Sequence, residues 1–453
     1  MVEKNEEEKV TRKSPTLLAI MAAAGSLLFG YHLAQISGVV PGLSHYFIEP
    51  LDLKGNSSNL LLGFLVSAAL LGSIPGSLFA GKFANRFGRK SSLLLVTILF
   101  FITSFISAWP QLGIHASEGK SIIGLLIFVI SRLVSGFALG MVSAIVPLYI
   151  SEISPVRKRG RLIGLSQMGI VVGILLAYIV NYGIESMGNQ KFLIDVGWRY
   201  MLMAESILAL ILFFLFINLE ESPHFIKQTE AVCDKPKERV SISFYGKLVV
   251  ILSFCVFAFQ PFCGMNVIFF YAPKIFAMSG ASIHNSYMQT LFLGGINFIA
   301  TIFALKWVDH IGRKKLYLLG ALGMFVCISL LGVEIYTGYK GIFMLILVLL
   351  FIAIFALTWG PVTWIYASEV LPPKIRPQVI SIGVAGQWVV NYLFTWMFPV
   401  LAGSKMLNEL FNHAFPFWFY AIMILIPTLV VMFLGFETRN KTANEIEERW
   451  LKK

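Results

Sequence analysis

Apolar residues in this chain come in long unbroken runs and not in alternation. Leu60–Ala80 and Ile342–Leu357 are almost free of charge throughout. Such runs are too continuous for helices with one wet face, and they suit membrane spans of roughly 20 residues. Polar residues gather in the breaks between them. The pattern predicts twelve spans, at about 15–40, 58–81, 91–109, 121–150, 161–184, 198–219, 248–276, 286–309, 315–336, 341–369, 377–401 and 414–436. The fold class expected is an all-α membrane protein. Gly136, Gly140, Pro147, Gly169 and Gly173 fall inside the runs, where small residues let helices approach closely. Pro147, Pro261 and Pro361 are the expected kinks, able to turn backbone carbonyls toward a cavity.

Basic residues give the runs an orientation. Lys82 to Lys90, Arg157 to Arg161, Lys227 to Lys247, Arg313 to Lys315 and Lys374 to Arg376 cluster in every second break. The alternate breaks carry only Lys54, Lys120, Lys191, Lys340 and Lys405. This asymmetry puts the basic breaks and both termini in the cytoplasm. It also accounts for the formal charge of +12 without a nucleic-acid partner. Composition agrees, with 57% hydrophobic and 13% charged residues, where soluble proteins carry about 25% charged. The acidic start, Met1 to Glu8, reads as a tail and not a signal peptide. Cys233, Cys255, Cys263 and Cys327 fall in spans or the cytoplasmic loop, so no disulfide is expected. Asn56-Ser57-Ser58 fits a glycosylation acceptor by chance more readily than by design.

Two short segments recur about half a chain apart. Asn85–Lys90 returns as Asp309–Lys314, and Ser151–Pro155 with Arg157–Arg159 returns as Ser368–Pro372 with Lys374–Arg376. A half-length repeat in an apolar chain points to a transporter with its site between two related bundles. The expected organisation is a cytoplasmic tail (1–14), a six-helix bundle (15–219), a cytoplasmic central loop (220–247), a second six-helix bundle (248–436) and a cytoplasmic tail (437–453). Both motifs lie at the cytoplasmic ends of spans. Glu152 and Glu369 can therefore pair with arginines of the Gly-Arg-Lys turns. Arg89, Glu152, Arg161, Arg313, Glu369 and Arg376 form an expected cytoplasmic gate, locked while the outer side is open and broken when it closes.

The chain resembles the sugar porter family of the major facilitator superfamily. The resemblance is carried by Gly30-Tyr31, Asn85–Lys90, Pro147–Glu152, Glu221-Ser222-Pro223, Gln260–Pro273, Asp309–Lys314, Trp359–Trp364 and Glu437-Thr438. Its texture is nearest to bacterial D-xylose–proton symporters and related hexose facilitators. The resemblance implies twelve helices in two bundles and transport of a monosaccharide, a hexose or pentose, by alternating access.

Sugar chemistry also fits the residues on their own terms. An amide offers both donor and acceptor without charge, as each sugar hydroxyl requires. Intramembrane amides are costly unless used. Here Gln167, Gln260, Asn266, Asn297, Gln387 and Asn391 accompany Trp359, Trp364 and Trp388. The resemblance implies that Gln167, Gln260, Asn266, Asn297, Trp359 and Gln387 line the sugar pocket, with Trp388 beside them. It also marks departures. Pro261 stands where the family has a second glutamine, Phe270 replaces a tyrosine and Ile174 another glutamine of the xylose carriers. His224 replaces an arginine and Pro377 a glycine.

His32 occupies the position at which proton-coupled members carry an aspartate. At 1.5 Å rise per residue, His32 lies roughly 12–14 Å below the outer edge, Arg132 about 16 Å and Glu205 about 10 Å. The three are expected neighbours and form the coupling group. An aspartate can neutralise a buried arginine and lose that role on protonation, whereas a charged histidine would repel it. His32 is therefore expected to be neutral and Glu205 to partner Arg132. Uniport is favoured, with proton symport through Glu205 or His32 as the alternative. An inositol or polyol carrier and a non-transporting sugar sensor are the remaining readings. Metal-ligand spacing, a nucleophile elbow and a phosphate loop are all missing from the sequence, so no enzyme, metal or cofactor is expected. The expected setting is the lipid bilayer of the plasma membrane, the inner membrane in a bacterium, with the chain as a monomer.

Overall fold

The computed structural model describes residues 13–53, 56–111, 122–155, 158–230, 247–278, 280–338, 341–372, 375–439, 441 and 443–451. Most of the expected N-terminal tail and central loop, with Arg157, Cys233 and Lys374, lies outside the described residues.

The first half holds helices α1 (Pro15–Leu43), α2 (Ser57–Phe87), α3 (Arg89–Ala108), α4 (Ile122–Ile153), α5 (Arg159–Glu185) and α6 (Trp198–Ile217). The second holds α7 (Lys247–Ala258), α8 (Met265–Met278), α9 (Ile283–Ile311), α10 (Arg313–Thr337), α11 (Ile342–Leu357), α12 (Trp359–Val370), α13 (Arg376–Gly403) and α14 (Phe415–Leu434). Among the described residues, twelve stretches are long and apolar enough to cross a membrane. Apolar side chains such as Ile122, Ile342 and Phe433 remain exposed along them, as lipid-facing positions require.

Local chemistry sets the helix ends. Ser14 caps α1, accepting from the Leu17 amide at 3.3 Å, with Pro15 in the first turn. Only Gly88 separates α2 from α3 and only Gly312 separates α9 from α10, with φ of 91° and 100°. A side chain is strained at such angles. It would also collide, because a Cβ on Gly88 would sit 2.3 Å from Glu221 Oε2.

The seventh and tenth spans are each split, which distinguishes the second half. Between α7 and α8 the chain makes a 3₁₀ turn, Gln260–Cys263, closed by Gly264 at φ 77°. Between α11 and α12, Thr358 leaves helical geometry at φ −123°, ψ −86°. Pro261 and Pro361 sit in or just after these breaks, as expected of kinks. Pro147 differs, since α4 runs on through it without interruption.

Within the first half α1 packs on α5, α2 on α4 and α3 on α6. The α2–α4 approach brings backbone to backbone: a Cβ on Gly136 would lie 1.9 Å from the Ala69 carbonyl oxygen. The halves meet along α1–α8, α5–α9 and α2–α13. Several of these contacts lie toward the end opposite the Gly-Arg-Lys turns, called here the far end. Tyr287 Oη donates to Gly38 O at 2.7 Å, Trp396 Nε1 to Leu60 O at 3.0 Å, and Tyr178 Oη to Phe269 O at 3.1 Å. The polar tail forms a further helix, α15 (Ala443–Leu451), which the hydrophobic pattern did not predict. Its Ile446 and Trp450 are buried, and Trp450 Nε1 donates to Val370 O at 2.9 Å.

Candidate functional site

The repeated motifs fold into two matching networks at the basic end. In the first half, Glu221 accepts from the amides of Arg89 at 2.9 Å and Lys90 at 3.1 Å. It thereby fills the role of a cap at the start of α3. Arg89 Nη2 donates to Glu152 Oε1 at 2.7 Å, and Ser222 Oγ donates to Glu152 Oε2 at 2.5 Å. Lys90 Nζ reaches the carbonyl of Ile217 at 2.7 Å, at the C-terminus of α6, where a cation is favoured. In the second half, Glu437 accepts from the amides of Arg313 at 2.8 Å and Lys314 at 3.2 Å. Arg313 meets Glu369 through Nε and Nη2, both at 3.2 Å. Thr438 Oγ1 donates to Glu369 Oε2 at 2.6 Å, and Lys314 Nζ to Gly435 O at 2.9 Å.

Each pair therefore stays inside its own half. Both are formed while the far ends of the halves touch, whereas the gate expectation had them break when that side closes. The reason is positional: each turn and its carboxylate belong to adjacent helices of one bundle, which need not separate when the bundles move. Arg161 is exposed. Arg376 donates through Nη2 to Leu371 O at 3.0 Å. It precedes the apolar stretch that begins at Val379. Burial lowers its pKa, against the opposing pull of Glu369.

At mid-depth the amides of the second half pair around the break in the seventh span. Gln387 Nε2 donates to Gln260 Oε1, and Gln260 Nε2 donates to the Trp359 carbonyl at 3.2 Å. Asn266 Nδ2 donates to Asn391 Oδ1. Three of the expected pocket residues, Gln260, Asn266 and Gln387, are thus brought to the place where α13 meets the α7–α8 turn and the start of α8. Trp388 touches the first half, its ring 5.8 Å from Phe29, and its buried Nε1 has no hydrogen-bond partner. Trp359 is fully buried, stacked on Tyr317 at 4.5 Å and donating through Nε1 to Tyr317 O. Gln167 and Asn297 stand on α5 and α9, two helices that pack on each other across the halves.

The first half holds a buried charged cluster instead. His32, Arg132 and Glu205 are all nearly inaccessible. Among the described residues Glu205 makes no direct ion pair or hydrogen bond with Arg132, although the two lie close enough to feel each other's charge. It accepts from His32 Nδ1 at 2.8 Å, Gln35 Nε2 at 2.6 Å and Ser104 Oγ at 2.6 Å. A carboxylate facing Nδ1 places a proton on that nitrogen. His32 Nε2 faces Ser135 Oγ at 3.4 Å, and Ser135 in turn bonds the carbonyl of Arg132 at 2.9 Å. Arg132 Nε is buried without a partner. Depth along the helix axis put the three at one level, but it carried no information on which faces turn together. Gln35 is the residue the sequence reading missed. Its signal was available: it lies one helical turn after His32, on the same face of α1.

Comparison with known proteins gives this arrangement a family. The profile of the family described as "Sugar (and other) transporter" matches residues 18–238 and 234–450, one match to each half. A D-xylose–proton symporter of Escherichia coli is 36% identical, with 96% of this chain and 95% of that protein covered. A glucose facilitated diffusion protein of Zymomonas mobilis is 33% identical, covering 96% and 97%. Among solved structures, a D-xylose–proton symporter superposes with a TM-score of 0.85 at 38% identity, over 94% of this chain and 98% of that one. The inward-open xylose transporter of E. coli gives 0.84 at 35% identity, over 96% and 100%. The chain is thus a multi-pass membrane protein of the major facilitator fold, and it belongs to the sugar porters of the sugar (and other) transporter family.

Proposed function

We propose that this protein carries a monosaccharide, a hexose or pentose, across the membrane by facilitated diffusion. The basic end and both termini face the cytoplasm, as charge asymmetry predicts. The sugar sits between the halves at mid-depth, held by Gln167, Gln260, Asn266, Asn297 and Gln387 with Trp359 and Trp388. The halves then rock around it. Relatives named for D-xylose and for glucose support the substrate class. The amide pairs support it chemically, because a hydroxyl can exchange for either partner of Gln260–Gln387 or Asn266–Asn391.

One observation carries the uniport reading. Arg132 makes no ion pair among the described residues, and the carboxylate nearest in role, Glu205, is occupied by three other donors. A coupling switch needs a carboxylate whose protonation releases an arginine, and no such contact is formed here. Uptake into proteoliposomes tests this. Downhill sugar entry unaffected by a protonophore is expected, and uphill accumulation driven by an imposed proton gradient would overturn it.

A second reading, symport, rests on the His32–Glu205 contact itself, since this buried pair can hold a transferable proton. The same assay on His32→Gln separates the two. Under symport the substitution abolishes accumulation while exchange persists; under uniport no accumulation exists to lose.

A further inference from the structure

Among the described residues, the far-end seam contains one contact between the halves in which both partners ionise. His284 Nδ1 lies 2.9 Å from Glu185 Oε2. The Tyr182 ring lies tilted against the imidazole at a centroid distance of 5.4 Å. Glu185 is buried, whereas the His284 side chain is 53% exposed. The other hydrogen bonds named at this seam run from tyrosine or tryptophan to backbone carbonyls, and these do not change with pH near neutrality. Helix ends add a second asymmetry. Glu185 is the last residue of α5, where the helix dipole disfavours a carboxylate. Contact with His284, in the first turn of α9, moves it to a helix N-terminus, which favours one. The carboxylate is therefore better placed in the closed seam than in an open one.

We propose that Glu185 and His284 form a pH-sensitive latch that holds the far side of the carrier closed. The proposal rests on the alternating-access reading above, not on whether protons are co-transported. Protonation of the imidazole turns its hydrogen bond to the carboxylate into an ion pair between the halves and stabilises the closed seam. Acid on the far side thus favours the state described here. The other charged or ionisable groups around His284 are few. Tyr182 lies on α5 with Glu185, and Tyr287 lies on α9 with its hydroxyl engaged by Gly38. Lys191 is exposed in the turn beside Gln190, which lines the same crevice. Lys274 is the cation of α8, which packs on α9.

Spin labels at Leu53→Cys and Met406→Cys, exposed positions of the two halves at this end, report the seam distance in the full chain, in a background without native cysteines. The closed-to-open ratio is expected to rise at least threefold from pH 8 to pH 5.5. His284→Gln keeps a hydrogen-bond donor but no charge and should flatten this profile. Glu185→Gln should flatten it as well. His284→Arg should hold the ratio high at both pH values. Sugar exchange by each variant verifies that it is folded. An unchanged pH profile in His284→Gln overturns the latch, because the response would then come from elsewhere, such as His32–Glu205 or the exposed His45–Glu49 pair. A flat profile in the parent overturns it too.

Discussion

The two halves of this carrier share a frame and divide the chemistry. At the basic end they are near copies: Glu221 and Glu437 cap the turns, Glu152 and Glu369 take the arginines, and Ser222 and Thr438 complete each carboxylate. At mid-depth they differ. The first half buries His32, Arg132 and Glu205 in unbroken helices, and the second opens two of its spans and lines the break with amides. Duplication preserved what builds a helix end. It left free the polar groups at mid-depth, which the packing of their own bundle does not fix.

The largest expected effect breaks the first half. Glu205→Leu strips three donors of their acceptor and leaves Arg132 without a nearby anion, costing about 4 kcal/mol. Thermal unfolding in detergent should show the loss, and sugar uptake should vanish. Next comes a paired test of the shared frame. The Arg89–Glu152 side chains are 3% and 9% exposed, against 12% and 32% for Arg313–Glu369. Solvent screens the second pair more, so Glu152→Gln should cost about 3 kcal/mol and Glu369→Gln about 1 kcal/mol. Equal melting shifts would show that depth does not distinguish the networks. Gln35→Leu removes one donor from the buried carboxylate and should cost about 1.5 kcal/mol. Its uptake should change less than that of Glu205→Leu, read from initial rates normalised to folded protein. The smallest change in stability belongs to the second half. Gln387→Leu should leave the melting temperature nearly unchanged and raise the sugar KM by about tenfold, equivalent to about 1.4 kcal/mol. If it destabilises the fold as much as Glu205→Leu does, the amides are structural glue and the division of labour fails.

Spans, repeat and the motifs of the basic end were legible because each leaves a signal along the chain: continuous apolarity, a half-length period and charge at alternate breaks. Glu152 and Glu369 were correctly matched to the arginines of their turns, since these lie at neighbouring helix ends. The Glu205 partners were not legible. Rise per residue gives depth, but the face each helix presents depends on packing among α1, α3, α4 and α6, which no single segment encodes. The Glu185–His284 seam was hidden for a related reason, as two polar residues at span ends look like any solvated boundary. The break at Thr358 was legible only as a kink at Pro361, because Ile342–Leu357 and the segment after it read as one apolar run.

The amide bridges around the seventh-span break have a consequence for speed. Gln260 with Gln387, and Asn266 with Asn391, already satisfy one another. On the proposed reading, an arriving sugar hydroxyl exchanges one bond for another instead of filling an empty valence, so each contact adds little net free energy. Self-satisfied amides therefore suit weak binding, in the millimolar range near −4 kcal/mol. A sugar held that loosely departs quickly, which fits bulk flow when nutrient is plentiful better than scavenging when it is scarce.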